Sequence, residues 1–142
     1  MTSPRALVLS LRPRFADAIL DGRKTAELRR QRVGAPAGTR IILYSSTPVM
    51  AVVGTARIAA VHTLQPGTAW RRFGRRLQLQ RDEFDNYLTG CLAACIVELE
   101  HVQRLDSPLP LGQLHQLTRF RPPQSYRYLT PGDPQPLQEL FA

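Results

Sequence analysis

The stretch LSLRPRFADAILDGRKTAELRR, Leu9–Arg30, carries three elements in succession and sets the reading of everything after it. Its first residues belong to RALVLSLR, Arg5–Arg12, where apolar and polar positions alternate as they do on a strand. Pro13 then suits the first turn of a helix, since its missing N–H has no intrahelical partner to lose. Phe15, Ala16, Ile19 and Leu20 recur at helical spacing, and Gly22 supplies the stop. In KTAELRR, Lys24–Arg30, alternation returns. Ala26 and Leu28 face one way, with Thr25, Glu27 and Arg29 on the other side.

Outward from this strand–helix–strand unit the pattern continues. RVGAPAG is a loop, and TRIILYSS, Thr39–Ser46, reads as a third strand that Thr47-Pro48 breaks. MAVVGTARIAAVHTL, Met50–Leu64, is a long strand in which Gly54 marks a bulge or a close backbone approach. Trp70, Phe73, Phe84, Tyr87 and Leu88 then fall at helical intervals, predicting two short helices with Gly74 as the break and Gly90 as the stop. CLAACIVELEHVQRL, Cys91–Leu105, returns to strand with a near-continuous apolar start, as a buried central strand does. LGQLHQLTR predicts one more short helix, and the tail from Arg121 is punctuated by proline. Five or six strands with short helices between them predict an α+β fold built on a small mixed β-barrel.

The 142 residues form one domain, 1–142, with the proline-rich segment 121–142 expected to pack on it. Hydrophobic residues make up 43% and charged residues 21%, as in a soluble globular protein. No apolar run approaches the roughly 20 residues of a membrane span, and the amino terminus does not read as a signal peptide. A cytoplasmic monomer is expected. On a strand, Cys91 and Cys95 would lie about 13 Å apart, beyond the reach of a disulfide. They read as small buried apolar residues. His62, His101 and His115 are scattered without zinc-ligand spacing, so neither a metal nor another cofactor is expected.

Charge is the strongest compositional feature: a net of +8, with an isoelectric point near 10.7. It is also uneven. Residues 1–81 hold fifteen cations against three acids, whereas residues 82–142 hold four against eight. One cationic face made for a polyanion, chiefly nucleic acid, follows from that asymmetry. Among nineteen cationic side chains Lys24 is the sole lysine, all others being arginine. A compact ammonium serves where a point charge must meet a phosphate or carbonyl.

The order of LSLRPRFADAILDGRKTAELRR, LYSSTPVMAVVGTARI, DEFDNYLTG and PPQSYRYL resembles the ASCH domain, a branch of the PUA-like superfamily, over nearly the whole chain. The family's glycine, lysine, glutamate and arginine correspond to Gly22, Lys24, Glu27 and Arg29. The resemblance implies a barrel of about six strands flanked by helices, with a cleft walled by the lysine strand. It implies RNA binding before DNA binding, with roles proposed as RNA-linked or transcription-related regulators. It also admits hydrolysis, by a metal-independent ribonuclease or an N4-acetylcytidine amidohydrolase, with Lys24 and Glu27 as the catalytic candidates. The amidohydrolases use a lysine, a threonine three positions later and a distant glutamate. Here only Lys24 matches: Glu27 stands at the threonine position, and the glutamate would fall near Arg75 and Arg76.

The candidate nucleic-acid contacts are then Lys24, Glu27, Arg29, Tyr44, Ser45 and Ser46 around the cleft. To these are added an arginine track of Arg71, Arg72, Arg75 and Arg76, and the tail residues Gln124, Ser125, Tyr126 and Arg127. Lys24 is expected to be charged and to donate to a phosphate or a base carbonyl. Glu27 and Arg29 lie about 6.6 Å apart along a strand. They are either an ion pair closing the barrel edge or an acceptor for a base amine beside a phosphate-holding arginine. Tyr44 is either a stacking platform or half-buried core. The arginine track is either a phosphate-following face or a solvated helix surface. An adaptor role, with the acidic half and the tail binding a protein partner, is the third functional class.

Overall fold

The computed structural model describes residues 5–141. Its six strands form one mixed sheet. They are β1 (Leu7–Leu11), β2 (Ala26–Arg29), β3 (Arg40–Ser45), β4 (Ala51–Leu64), β5 (Ala94–Pro110) and β6 (Tyr126–Tyr128), in the spatial order β2-β5-β4-β3-β1-β6. Only β1 and β3 run parallel; every other pair is antiparallel. The sheet curls into a half-barrel. No backbone ladder joins its outer strands β2 and β6. Side chains span the gap: the Tyr126 hydroxyl accepts from the Gly34 amide, and the Tyr128 hydroxyl donates to the Gly34 carbonyl.

Strand alternation divides the core. Leu7, Leu9 and Leu11 of β1 and Ile41 and Leu43 of β3 point into the half-barrel, joined by Val97 and Leu99 of β5. Helix α1 (Pro13–Leu20) plugs this concavity with Ala16 and Ile19, both fully buried. The opposite faces of β1 and β3, Val8, Ile42 and Tyr44, are covered by Phe120, Leu129 and Leu137 from the C-terminal segment. Ala26 and Leu28 of β2, with Ile96, meet α2 (Pro66–Leu77) and α3 (Arg81–Tyr87) through Phe73, Leu77, Phe84 and Leu88. Each such fully buried Leu, Ile or Phe contributes about 1.5–3 kcal/mol of burial free energy. Two short helices follow, α4 (Leu111–His115) and α5 (Gln135–Gln138).

Two glycines do different work from each other. Gly54 is a site of close approach, as its place in a strand implied: an added Cβ would lie 2.7 Å from the Gln103 carbonyl oxygen of β5. Gly74 is not a break. Helix α2 runs straight through it, because the Trp70 ring lies over the missing side chain and rewards its absence. The chain leaves the helix at Gln78 instead, in the left-handed conformation (φ 59°), before α3 begins. Strand β2 is also shorter than the alternation of KTAELRR implied. It begins at Ala26, so Lys24 precedes it.

Candidate functional site

Gly22 ends α1 with a left-handed turn (φ 82°), and the Arg23 and Lys24 amides both donate to the Ala18 carbonyl. This turn takes Lys24 out of strand alternation and onto the same side as Glu27, the reverse of what a continuous strand would do. Lys24 is 1% exposed. Its Nζ donates to the Leu77 carbonyl at 2.7 Å, lies 3.1 Å from Glu27 Oε1 and sits 4.8 Å from the centre of the Phe15 ring. Glu27, 6% exposed, takes the Leu28 amide on Oε1 and Arg29 Nη2 on Oε2, at 3.1 and 2.7 Å. Arg29 reaches further, to the Ser10 carbonyl at 2.8 Å and Ser125 Oγ at 3.1 Å.

The buried group is therefore two cations sharing one carboxylate, with a net charge of +1. Burial pulls the Lys24 ammonium below its ordinary pKa, against the opposing effect of Glu27. Burial would push the Glu27 carboxyl up, but Lys24 and Arg29 outweigh it and hold the group below its usual range. Glu98 is held down by His62 and Arg76. For Asp133, burial is outweighed by Arg127 and Thr130. A carboxyl with a depressed folded-state pKa stabilises the fold above its unfolded value and loses that contribution as pH falls through the folded pKa. The thermal midpoint is thus expected to fall as pH drops below about 4.3, the ordinary glutamate value, a trend circular-dichroism melts will read.

These three residues form the floor of a cleft of about 760 Å³. Ser10, Leu11, Arg12 and Phe15, from the β1–α1 junction, make one wall. Tyr44, Ser46 and Thr47 make a second, and Glu83, Asn86 and Tyr87 of α3 a third. Pro122, Pro123 and Gln124 complete the rim. Tyr44 is 4% exposed, and burial raises the pKa of its phenol. Tyr87 is raised likewise by partial burial, and the residue remains 42% exposed. Arg14 ties α1 to α3 by pairing with Glu83 at 2.8 Å. Arg12 is exposed and has no partner among the described residues.

The sequence candidates divide. Lys24, Glu27, Arg29, Tyr44, Ser46 and Gln124 line the cleft. Ser125 touches it through Arg29. Ser45 does not line it: its side chain is buried and its Oγ has no partner. Tyr126 bonds the loop after β2, and Arg127 clasps Asp133 with two bonds of 3.0 and 2.9 Å. Of the arginine track, Arg71, Arg72 and Arg75 are exposed on α2. Arg76 turns inward to Glu98 Oε1 at 2.7 Å and Thr25 Oγ1 at 2.8 Å, and none of the four lines the cleft. Arg12, Asn86 and Tyr87 were missed. Arg12 had a signal, because a polar residue between strand and helix-starting proline stands at a strand's end, where clefts form. Cys91 and Cys95 are both free.

Fold and cleft together define an α+β half-barrel with a charged opening between its first helix and its outer strands. Its relatives have the same architecture. A family model described as a domain of unknown function, DUF365, matches residues 5–118. The ASCH domain-containing ribonuclease of Zymomonas mobilis is 37% identical over 135 residues, covering 94% of this chain and 90% of that protein. The crystal structure of ASCH from Zymomonas mobilis superposes with a TM-score of 0.87 at 34% identity, covering 96% of this chain and 95% of the other. A Pseudomonas putida structure, 19% identical, shares the fold with a TM-score of 0.55, covering 89% and 93%. The chain belongs to the ASCH domain family, and to the family that the DUF365 model describes.

Proposed function

We propose that this chain is a monomeric, cytoplasmic RNA-acting module of PUA-like architecture that takes an RNA strand into the cleft over Lys24, Glu27 and Arg29. One observation carries the reading: a buried floor with two cations and one carboxylate, open to a cleft large enough for a nucleotide or two. A buried charge without a counter-charge is costly, and an anion delivered from solvent offsets it. Tyr87 offers a ring face to a splayed base, and Asn86 and Gln124 offer amides to its edge.

Cleavage is the second reading, favoured by the relative that carries the name ribonuclease. In the usual strand scission the 2′-hydroxyl gives its proton to solvent water as its oxygen attacks the adjacent phosphorus, the bond to the 5′-oxygen breaks, and that oxygen takes a proton. Glu27 is a poor base for this, since Lys24, Leu28 and Arg29 already occupy its oxygens. Lys24 is equally committed. Both act as positioning residues for Arg29, while the neutral Tyr44 phenol is placed to donate a proton. Deacetylation of N4-acetylcytidine has less support, because Glu27 replaces the required threonine and holds two cations.

Fluorescence anisotropy with a single-stranded oligoribonucleotide tests binding, and gel analysis after incubation tests cleavage. Absence of binding at low salt would overturn the reading; binding without product would remove the nuclease alone. A DNA oligomer of the same sequence should bind more weakly. If the exposed α2 arginines follow the backbone, Arg71→Ala/Arg72→Ala/Arg75→Ala lowers the salt slope by roughly 2, at about 0.7 per phosphate. Its melting temperature should stay that of the parent protein, since all three side chains are exposed.

A further inference from the structure

The proposed RNA reading leaves open where in the cleft a phosphate rests, and Lys24 is not the answer. Its ammonium already faces a carbonyl, a carboxylate and a ring. The better place is the junction of β1 and α1. Helix α1 starts at Pro13 with no capping side chain and no acid in its first turn. A helix start carries a partial positive charge of roughly half an electron, which suits an anion. Here Pro13 has no N–H and the Phe15 and Ala16 amides bond the Arg12 carbonyl, which leaves the Arg14 amide. Arg12, the residue in the capping position, and Phe15, in the first turn, both line the cleft.

A second, independent feature meets it there. Arg29 is 9% exposed, lines the same cleft and donates to the carbonyl of Ser10, two residues before Arg12. Its Nε is buried and has no hydrogen-bond partner. A buried donor left unmade is expensive, and sites where it occurs call for a missing acceptor. Arg12 has a free guanidinium at the rim, whereas its neighbour Arg14 is committed to Glu83. The floor beneath carries excess positive charge, and among the described residues the carboxylates on the cleft wall, Glu27 and Glu83, are each already paired.

We propose that the N-terminal turn of α1, with Arg12 and Arg29, is the phosphate seat of the cleft, holding one backbone phosphodiester of the bound strand. Arg12 supplies a mobile, bidentate contact from the rim, and Arg29 supplies a fixed donor from below. The Arg14 amide, the one first-turn N–H that no backbone carbonyl takes among the described residues, completes the set without side-chain entropy. A base attached to that phosphate then falls toward Tyr44 on one side or Tyr87 on the other.

Two measurements on the full chain test this. In amide and arginine-Nε NMR spectra, inorganic phosphate should shift residues 12–16 and Arg29 Nε, while a nucleoside lacking phosphate leaves them unmoved. Arg12→Gln should abolish the shifts. Arg119→Gln, an exposed arginine elsewhere, should preserve them. For a single-stranded oligoribonucleotide, Arg12→Gln should weaken low-salt binding about tenfold and reduce the salt slope by about 0.7, one phosphate's share. Arg12 is exposed, so the variant keeps its fold. Phosphate shifts confined to another surface, or RNA binding with an unaltered slope in Arg12→Gln, overturn the seat and leave the RNA reading standing. Phosphate shifts at α1 with no RNA binding at any salt support the seat and overturn the RNA reading.

Discussion

Glu27→Gln is expected to lower the unfolding free energy by about 4 kcal/mol, because it leaves two buried cations facing each other with no counter-charge. For a chain of this size that corresponds to a melting temperature roughly 14 °C lower. The amide can still accept from one neighbour, so geometry survives better than charge balance. Added phosphate should recover part of the loss, since an anion in the cleft replaces the missing charge. The variant should also show a shallower decline with acid than the parent, having lost a carboxyl whose folded pKa is depressed. A loss below about 1 kcal/mol would mean that solvent already screens the group. Thermal melts across pH and phosphate concentration check all of this.

Lys24→Met is the second large effect, and its signature differs. Methionine fills much of the space, but the Leu77 carbonyl loses its donor and Glu27 keeps Arg29. An unsatisfied buried acceptor costs about 1–3 kcal/mol, so destabilisation should be milder than for Glu27→Gln. Binding should suffer more, because the floor falls from a net single positive charge to neutral. RNA affinity at low salt should drop about tenfold, by anisotropy. The pair Lys24→Met/Glu27→Gln should cost less than the sum of its parts, since the two groups touch. Lys24→Arg should not rescue. A planar fork cannot place donors on a carbonyl, a carboxylate and a ring face around one atom, whereas an ammonium does. That is the physical reason for the only lysine among so many arginines.

Much of this was legible in Leu9–Arg30. Alternation found β1 and β2, spacing found α1, and the Glu27–Arg29 offset anticipated their ion pair. The pair is the ion pair of the first reading, and Arg29 carries it on to Ser10 of β1 and to Ser125 just before β6. Alternation misled at Lys24. Only Thr25 separates it from the strand, but the turn after Gly22 is fixed by the Ala18 carbonyl, and the Thr25 amide bonds Arg76 of α2, far along the chain. Gly74 misled for a related reason: its helix is stabilised by the Trp70 ring, which propensity does not see. Tyr87 was read only as one of the residues at helical intervals, and the structure places it exposed at the end of the seven-residue α3. Of the arginine run of α2, Arg71, Arg72 and Arg75 are exposed and Arg76 turns inward, and a linear pattern holds no information about its distance from a cleft made by other elements.

Arg29 has a consequence that belongs to the shell as a whole. Its guanidinium stitches the first strand to the tail at Ser125, and the same guanidinium faces the cleft. Occupancy and closure are then linked quantities: whatever tightens Arg29 against a ligand must change the grip on the C-terminal seam by an equal free energy, and loosening that seam must weaken the ligand in return. Amide exchange at Tyr126–Tyr128 should accordingly slow when the cleft is filled, although no ligand atom need come near those residues.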